Sequence, residues 1–148
     1  MDSNFADGFS LVELVVTLAL VGILAAIALP NWNKLLPSYQ LDSSARQVQS
    51  ELHYIKMRAA AENAGFQFVY SDGAAAYTIQ RASIILVTKP LPTGIVVTNA
   101  GTISFSPRGT AGGNRVGLRN TQGTCKQVVV SPTGRVRICK PSDCSGDC

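Results

Sequence analysis

Phe9-Ser-Leu-Val-Glu-Leu-Val-Val-Thr-Leu-Ala-Leu-Val-Gly-Ile-Leu-Ala-Ala-Ile-Ala-Leu29 is an unbroken apolar stretch with a single charge, Glu13, near its start. At about 1.5 Å per helical residue it spans roughly 31 Å, the thickness of a bilayer's hydrocarbon core. A carboxylate within such a segment costs about 2.5 to 3.5 kcal/mol on insertion scales, and acids in that position are generally paired and functional. The stretch predicts a membrane helix whose acid needs a positive partner.

Two ordinary explanations fit less well. A secretory signal peptide, with Ala26-Ile27-Ala28 as the cleavage site, would have a basic leading region and a shorter apolar core. The leader Met1 to Gly8 carries Asp2 and Asp7 and no Lys or Arg, and the apolar run is too long. A plain single-span anchor leaves Glu13 unexplained. Charge bias alone, with Lys34 and Arg46 beyond the run, would place the N-terminus outside.

The motif that opens the run is more specific. Gly8-Phe9-Ser10-Leu11-Val12-Glu13 resembles the type III signal of type IV prepilins and pseudopilins. The resemblance implies a leader, residues 1–8, that faces the cytoplasm and is removed by a prepilin peptidase cutting between Gly8 and Phe9. It implies methylation of the new Phe9 amine. It makes Glu13 the fifth mature residue, opposite the N-terminal ammonium of a neighbouring subunit in a filament. Pro30 stands where pilins carry a proline that loosens the first helix. The implied location is the inner membrane, crossed once, with the head in the periplasm and outside the cell after assembly.

Composition suits a small module behind such a segment. The chain has 148 residues and a net charge of +4, which loss of Asp2 and Asp7 with the leader raises to +6. From Gly101 onward Arg108, Arg115, Arg119, Lys126, Arg135, Arg137 and Lys140 face only Asp143 and Asp147. A basic half of this kind points to polyanions, although a solvated surface gives the same count.

Beyond the membrane part, residues 9–30, the pattern becomes amphipathic over 31–65. Leu41, Ala45, Val48, Leu52, Ile55 and Ala59 recur every three or four residues, the stripe of a helix with one buried face. Pro37 is expected to break or bend its junction with the membrane part, and Asn63-Ala64-Gly65 to stop it. Residues 66–148 then read as short strands: 66–70, 76–80, 84–88, 95–98, 102–105, 115–118, 127–130 and 135–138. Turn residues divide them, among them Ser106-Pro107-Arg108-Gly109 and Ser131-Pro132-Thr133-Gly134. Gly109 to Asn114 reads as a mobile loop. The fold class is α+β, a pilin-like lollipop with a long N-terminal helix packed on an antiparallel sheet domain.

Cys125, Cys139, Cys144 and Cys148 all fall in the last 24 residues. An exported, oxidising location makes them two disulfides. A hairpin turning at Ser131 to Gly134 brings Cys125 beside Cys139 and leaves Cys144 for Cys148. A zinc site is disfavoured because the spacings lack close Cys-x-x-Cys pairs. A shift of the hairpin register would change this pairing.

In that hairpin Val136 and Ile138 face one way and Arg135 and Arg137 the other. Two guanidiniums on one strand face, with no acid within five residues, suit phosphates, which Arg binds bidentately. Gly134-Arg135-Val136-Arg137 resembles the Gly-Arg-x-Arg hairpin of the GspH/FimT branch of minor pilins and pseudopilins. In FimT-like members that motif binds DNA during natural transformation. The resemblance implies a minor type IV pilin in a pilus or its tip, with other pilins and DNA as partners. Lys126, Lys140, Arg115 and Arg119 are possible auxiliaries. The alternative it allows is a type II secretion pseudopilin with a purely structural tip role. An exposed strand edge kept soluble by its arginines explains the same residues without DNA. Nothing in the chain predicts an enzyme or a cofactor: His53 is the sole histidine, and no nucleophile–base pair, phosphate loop or metal cluster is evident.

Overall fold

The computed structural model describes residues 9–144 and 146, with the backbone alone over 28–34. The leader 1–8 with Gly8, the side chains of Pro30 and Trp32, and Cys148 lie outside the described residues. One long helix, α1 (Leu11–Ala61), precedes eight strands: β1 (Phe66–Tyr70), β2 (Ala76–Arg81), β3 (Ile84–Pro90), β4 (Val96–Val97), β5 (Gly101–Phe105), β6 (Asn114–Arg119), β7 (Cys125–Val130) and β8 (Val136–Cys139). The helical backbone continues through Pro37, where a break or bend was expected, and the chain divides there into two units, 1–36 and 37–148.

In the first unit every described side chain from Phe9 to Ile27 is exposed. Leu11, Val15, Leu18 and Val21 are as open as Leu14 or Leu24, so no stripe is preferred. A helix that is apolar all round has no side suited to water. Among the described residues no helix is long and apolar enough to cross a membrane. The described side chains of the apolar run stop at Ile27, and the sequence carries the run on to Leu29.

In the second unit the stripe expected of the helix is the one observed. Leu41, Ala45, Val48, Leu52, Ile55 and Ala59 are all at most 1% exposed. They pack against two antiparallel sheets of four strands, ordered β3-β2-β1-β5 and β4-β6-β7-β8, where one sheet was expected. The first sheet supplies aromatic bulk: Phe66, Phe68 and Tyr70 from β1, Tyr77 from β2 and Phe105 from β5, with Phe68 stacked on Tyr77 at 4.6 Å between ring centres. The second supplies branched aliphatics, Val97, Val116, Leu118, Val128, Val130 and Val136. Alternation along each strand places these residues on one face, as a period of two requires.

The helix ends on Asn63, not on Gly65. Asn63 takes φ +46°, Ala64 N–H donates to Ala59 O at 3.1 Å, and Asn63 N–H donates to Ala60 O at 3.4 Å. This is a Schellman ending with asparagine in the left-handed position, which its short polar side chain tolerates. The segment from Gly109 to Asn114, expected to be mobile, is tied on both sides: Ala111 N–H donates to Pro132 O at 3.0 Å and Gly112 N–H to Ser104 O at 2.9 Å.

Both expected disulfides are overturned. Cys125 is bonded to Cys144, with Cα atoms 5.3 Å apart, and Cys139 is disulfide-bonded elsewhere. The register explains the error. β7 and β8 pair Val130 with Val136 and Gln127 with Cys139, so Cys139 ends two residues short of Cys125. The chain then turns after Pro141 and brings Cys144 back to Cys125. Gln127 Nε2 donates to Gly146 O at 2.8 Å, so the C-terminal segment lies over the outer face of β7 at this end.

Candidate functional site

The β7–β8 hairpin turns through Ser131-Pro132-Thr133-Gly134. Gly134 N–H donates to Ser131 O at 2.8 Å, and Ser131 N–H donates to Arg135 O at 3.0 Å. Pro132 supplies the fixed φ of the first corner, and Gly134, at φ +74°, the left-handed step that returns the chain to the ladder. A Cβ on Gly134 would collide with Gly109 O, and Lys56 Nζ from α1 donates to Gly134 O at 3.0 Å. The glycine of Gly-Arg-x-Arg therefore has a conformational reason of its own, independent of any ligand.

Beyond the turn, Val136 is buried and Ile138 packs on the core, while Arg135 and Arg137 are exposed. The alternation expected of the motif is present. The register adds a third arginine. Arg115 on β6 pairs with Val129 on β7, which pairs with Arg137 on β8, so Arg115 and Arg137 stand in one row on the outer face with Val129 between them. Two strand spacings put their backbones about 10 Å apart, and Arg135 lies about 7 Å along β8 from Arg137. A depression of about 290 Å³ is lined by Val129, Ser131, Thr133, Arg135 and Arg137. It adjoins a groove of about 630 Å³ that shares Val129 and Ser131 and includes Arg115, Asn99 and Asn114.

The other possible auxiliaries are not brought to this place. Arg119 is exposed on the same face, but four residues along β6 from Arg115, about 13 Å away, beside Cys144 and the β6–β7 turn. Lys126 points to the opposite, helix-facing side, where its ammonium pairs with Asp42 of α1. Lys140 is exposed beyond the end of β8. Of the expected assembly residues, Phe9 is exposed and Glu13 lies exposed in the first turn of α1, where a carboxylate favours the helix dipole.

The structure also shows what the sequence reading overlooked. Leu14 N–H donates to Ser10 O at 3.1 Å, which makes Ser10 the residue that caps α1 and Glu13 its third helical residue. Ser-x-x-Glu is the spacing of a capping box, so the sequence held a second, local role for Glu13. Asn99 was likewise unmarked. Where β4 stops pairing with β6, its side chain donates to Arg115 O at 2.8 Å and accepts from Gly117 N–H at 2.7 Å, and Tyr70 Oη donates to Arg115 O at 2.6 Å. Side chains thus satisfy the β6 edge and hold the backbone of Arg115 in place. Burial pushes the Tyr70 phenol up to about 12, with the hydrogen bond to Asn99 and the charge of Arg115 opposing.

A family model described as "Type II transport protein GspH" matches residues 44–134, the second unit up to the glycine of the hairpin. The chain belongs to the GspH family. A second model, the prokaryotic N-terminal methylation motif, matches residues 4–29. Two solved structures share the fold. The type IV minor pilin FimU of Pseudomonas aeruginosa is 16% identical, with 70% of this chain and 99% of that one covered at a TM-score of 0.55. The minor pseudopilin EpsH of the Vibrio cholerae type 2 secretion system is 14% identical, with the same coverage and the same score. No curated protein matches in sequence. The family models place the chain in the GspH family with a methylation-type N-terminus, and the likeness to FimU and EpsH shows the α+β fold.

Proposed function

We propose that this GspH-family chain is a minor type IV pilin whose head binds DNA through phosphate contacts for uptake. The observation that carries the reading is the arginine cluster on the outer face of the second sheet. Arg135 and Arg137 are exposed beside a depression, and Arg115 stands in register with Arg137 across Val129. Arg135 and Arg137, two residues apart and exposed on one face, repel one another in the free protein, and a polyanion relieves that repulsion. Arg offers paired donors to phosphate oxygens without reading a base edge, so the binding is sequence-independent and salt-sensitive. A shift assay with duplex DNA tests this: binding at about 50 mM salt that is lost at about 200 mM supports it, and binding that ignores salt contradicts it.

Assembly is the other half of the proposal. Prepilin peptidase removes the leader at Gly8, Phe9 is methylated, and residues 9–30 hold the subunit in the inner membrane with its head in the periplasm. Glu13 then meets the N-terminal ammonium of a neighbouring pilin, a pairing favourable in an apolar setting only when both charges are present. Glu13→Gln preserves a side chain able to close the capping box and removes only the charge. Loss of this variant from filaments supports the pairing; undiminished incorporation contradicts it.

The second reading is a structural, non-catalytic pseudopilin at the tip of a type II secretion machine. The family description and the equal likeness to FimU and EpsH favour it as much as the first. A head that shows no salt-dependent DNA binding selects it.

A further inference from the structure

We propose that Arg108 contacts the same phosphate backbone as Arg135 and Arg137, so that the nucleic acid crosses two adjoining turns and does not follow β8 alone. This rests on the DNA reading above. Ser106-Pro107-Arg108-Gly109 and Ser131-Pro132-Thr133-Gly134 are the same turn built twice. In each, glycine N–H donates to serine O (2.9 Å and 2.8 Å), serine N–H donates back across the closed loop (2.9 Å and 3.0 Å), and the glycine has positive φ (+78° and +74°).

The two turns are locked together. Gly134 has no room for a Cβ because Gly109 O lies against it, and Ala111 N–H donates to Pro132 O at 3.0 Å. Lys56 runs beneath both glycines and donates to Gly134 O. Arg108 precedes one of the touching glycines and Arg135 follows the other. Two Cα steps of about 3.8 Å, the roughly 2.4 Å from Gly109 Cα to its oxygen and the contact of that oxygen with Gly134 bring their Cα atoms within about 14 Å.

Arg108 is exposed, as are Arg135 and Arg137. Proline fixes φ in each turn, so the backbones carrying these cations are held in place before a ligand arrives. Among the described residues, Asp42 is engaged with Lys126, Glu51 with Lys89, and Glu62 with Arg58 and Arg81, all away from these turns. The positive end of the surface therefore extends from β8 over the Ser106–Gly109 turn, a width that suits a sugar–phosphate backbone laid across the hairpin.

The test uses the full-length chain in nonionic detergent and a short fluorescein-labelled DNA duplex, read by anisotropy between about 50 and 200 mM salt. Each phosphate contact contributes about 0.9 to the slope of log affinity against log salt. Arg108→Ala is expected to lower the slope by about 0.9, so that affinity falls about 3.5-fold less across this range, and Arg108→Lys to retain the parent slope. An unchanged slope in Arg108→Ala, beside a slope lowered by about 1.8 in the Arg135→Ala/Arg137→Ala variant, overturns this inference and leaves the DNA reading standing. Loss confined to Arg108→Ala overturns the shared surface. A parent chain with no salt-dependent binding overturns both.

Discussion

The two sheets of the head divide its work. The sheet β3-β2-β1-β5 carries the aromatic core, and its outermost strand is aliphatic and open: Ile84 is 67% exposed and Ile85 59%. The sheet β4-β6-β7-β8 carries a thinner valine-rich core, and its outermost strand turns arginines to solvent. Both sheets face the same helix stripe. One supplies most of the bulk that holds the fold, the other a rigid platform for charge. The edges differ in the same way: β8 ends the second sheet in arginines, whereas β3 relies on a bulge opposite Ile79 and Gln80 and on Lys89 and Pro90 to discourage further pairing.

That division is broken most sharply by removing aromatic bulk. Phe68→Ala, at a fully buried site, is expected to cost about 3 to 5 kcal/mol in denaturant unfolding, and Val128→Ala on the other sheet about 1.5 to 3. A larger loss for Val128 would reverse the assignment of the core. Next in size is the tether over the platform. Cys144→Ser opens the bridge to Cys125, 19 residues away, and is expected to lower stability by about 3 kcal/mol, with thermal unfolding as the check.

Alkali should act on the aromatic sheet. Burial pushes Tyr70 and Tyr77 up to about 12 from an ordinary 10. The folded state therefore keeps protons that the unfolded chain has lost, and this stability is full below pH 10 and falls as pH rises toward 12. Each tyrosine contributes a slope of about 1.4 kcal/mol per pH unit in that window. Denaturant unfolding at stepped pH reads it, and a flat profile would show that the phenols ionise equally well in both states. The smallest effect belongs to the open edge: Ile85→Lys is expected to change stability by less than about 0.5 kcal/mol, since its side chain leaves little behind in the core.

Much of this fold is legible in the sequence because local pattern and tertiary burial agree. The helix stripe from Leu41 to Ala59 is buried residue for residue, and β1 runs from Phe66 to Tyr70 as the alternation predicts. The cysteine pairing was not legible, because it depends on a two-residue offset in the hairpin and on a tail that folds back, and neither leaves a periodic trace. The split into two sheets was also hidden, since hairpin signals specify neighbours but not where a sheet ends. At the site, the alternation of Arg135 and Arg137 follows from strand parity. The row formed with Arg115, the diversion of Lys126 to Asp42 and the joining of two Ser-Pro-x-Gly turns all depend on long-range register.

The most direct measurement compares two arginine substitutions on the same sheet face. The salt dependence of duplex DNA binding is measured for Arg135→Ala/Arg137→Ala and for Arg119→Ala, whose backbone lies about 13 Å along β6 from Arg115. The account predicts a slope reduced by about 1.8 in the double variant and unchanged in Arg119→Ala. Equal slopes in the parent and the double variant would contradict it.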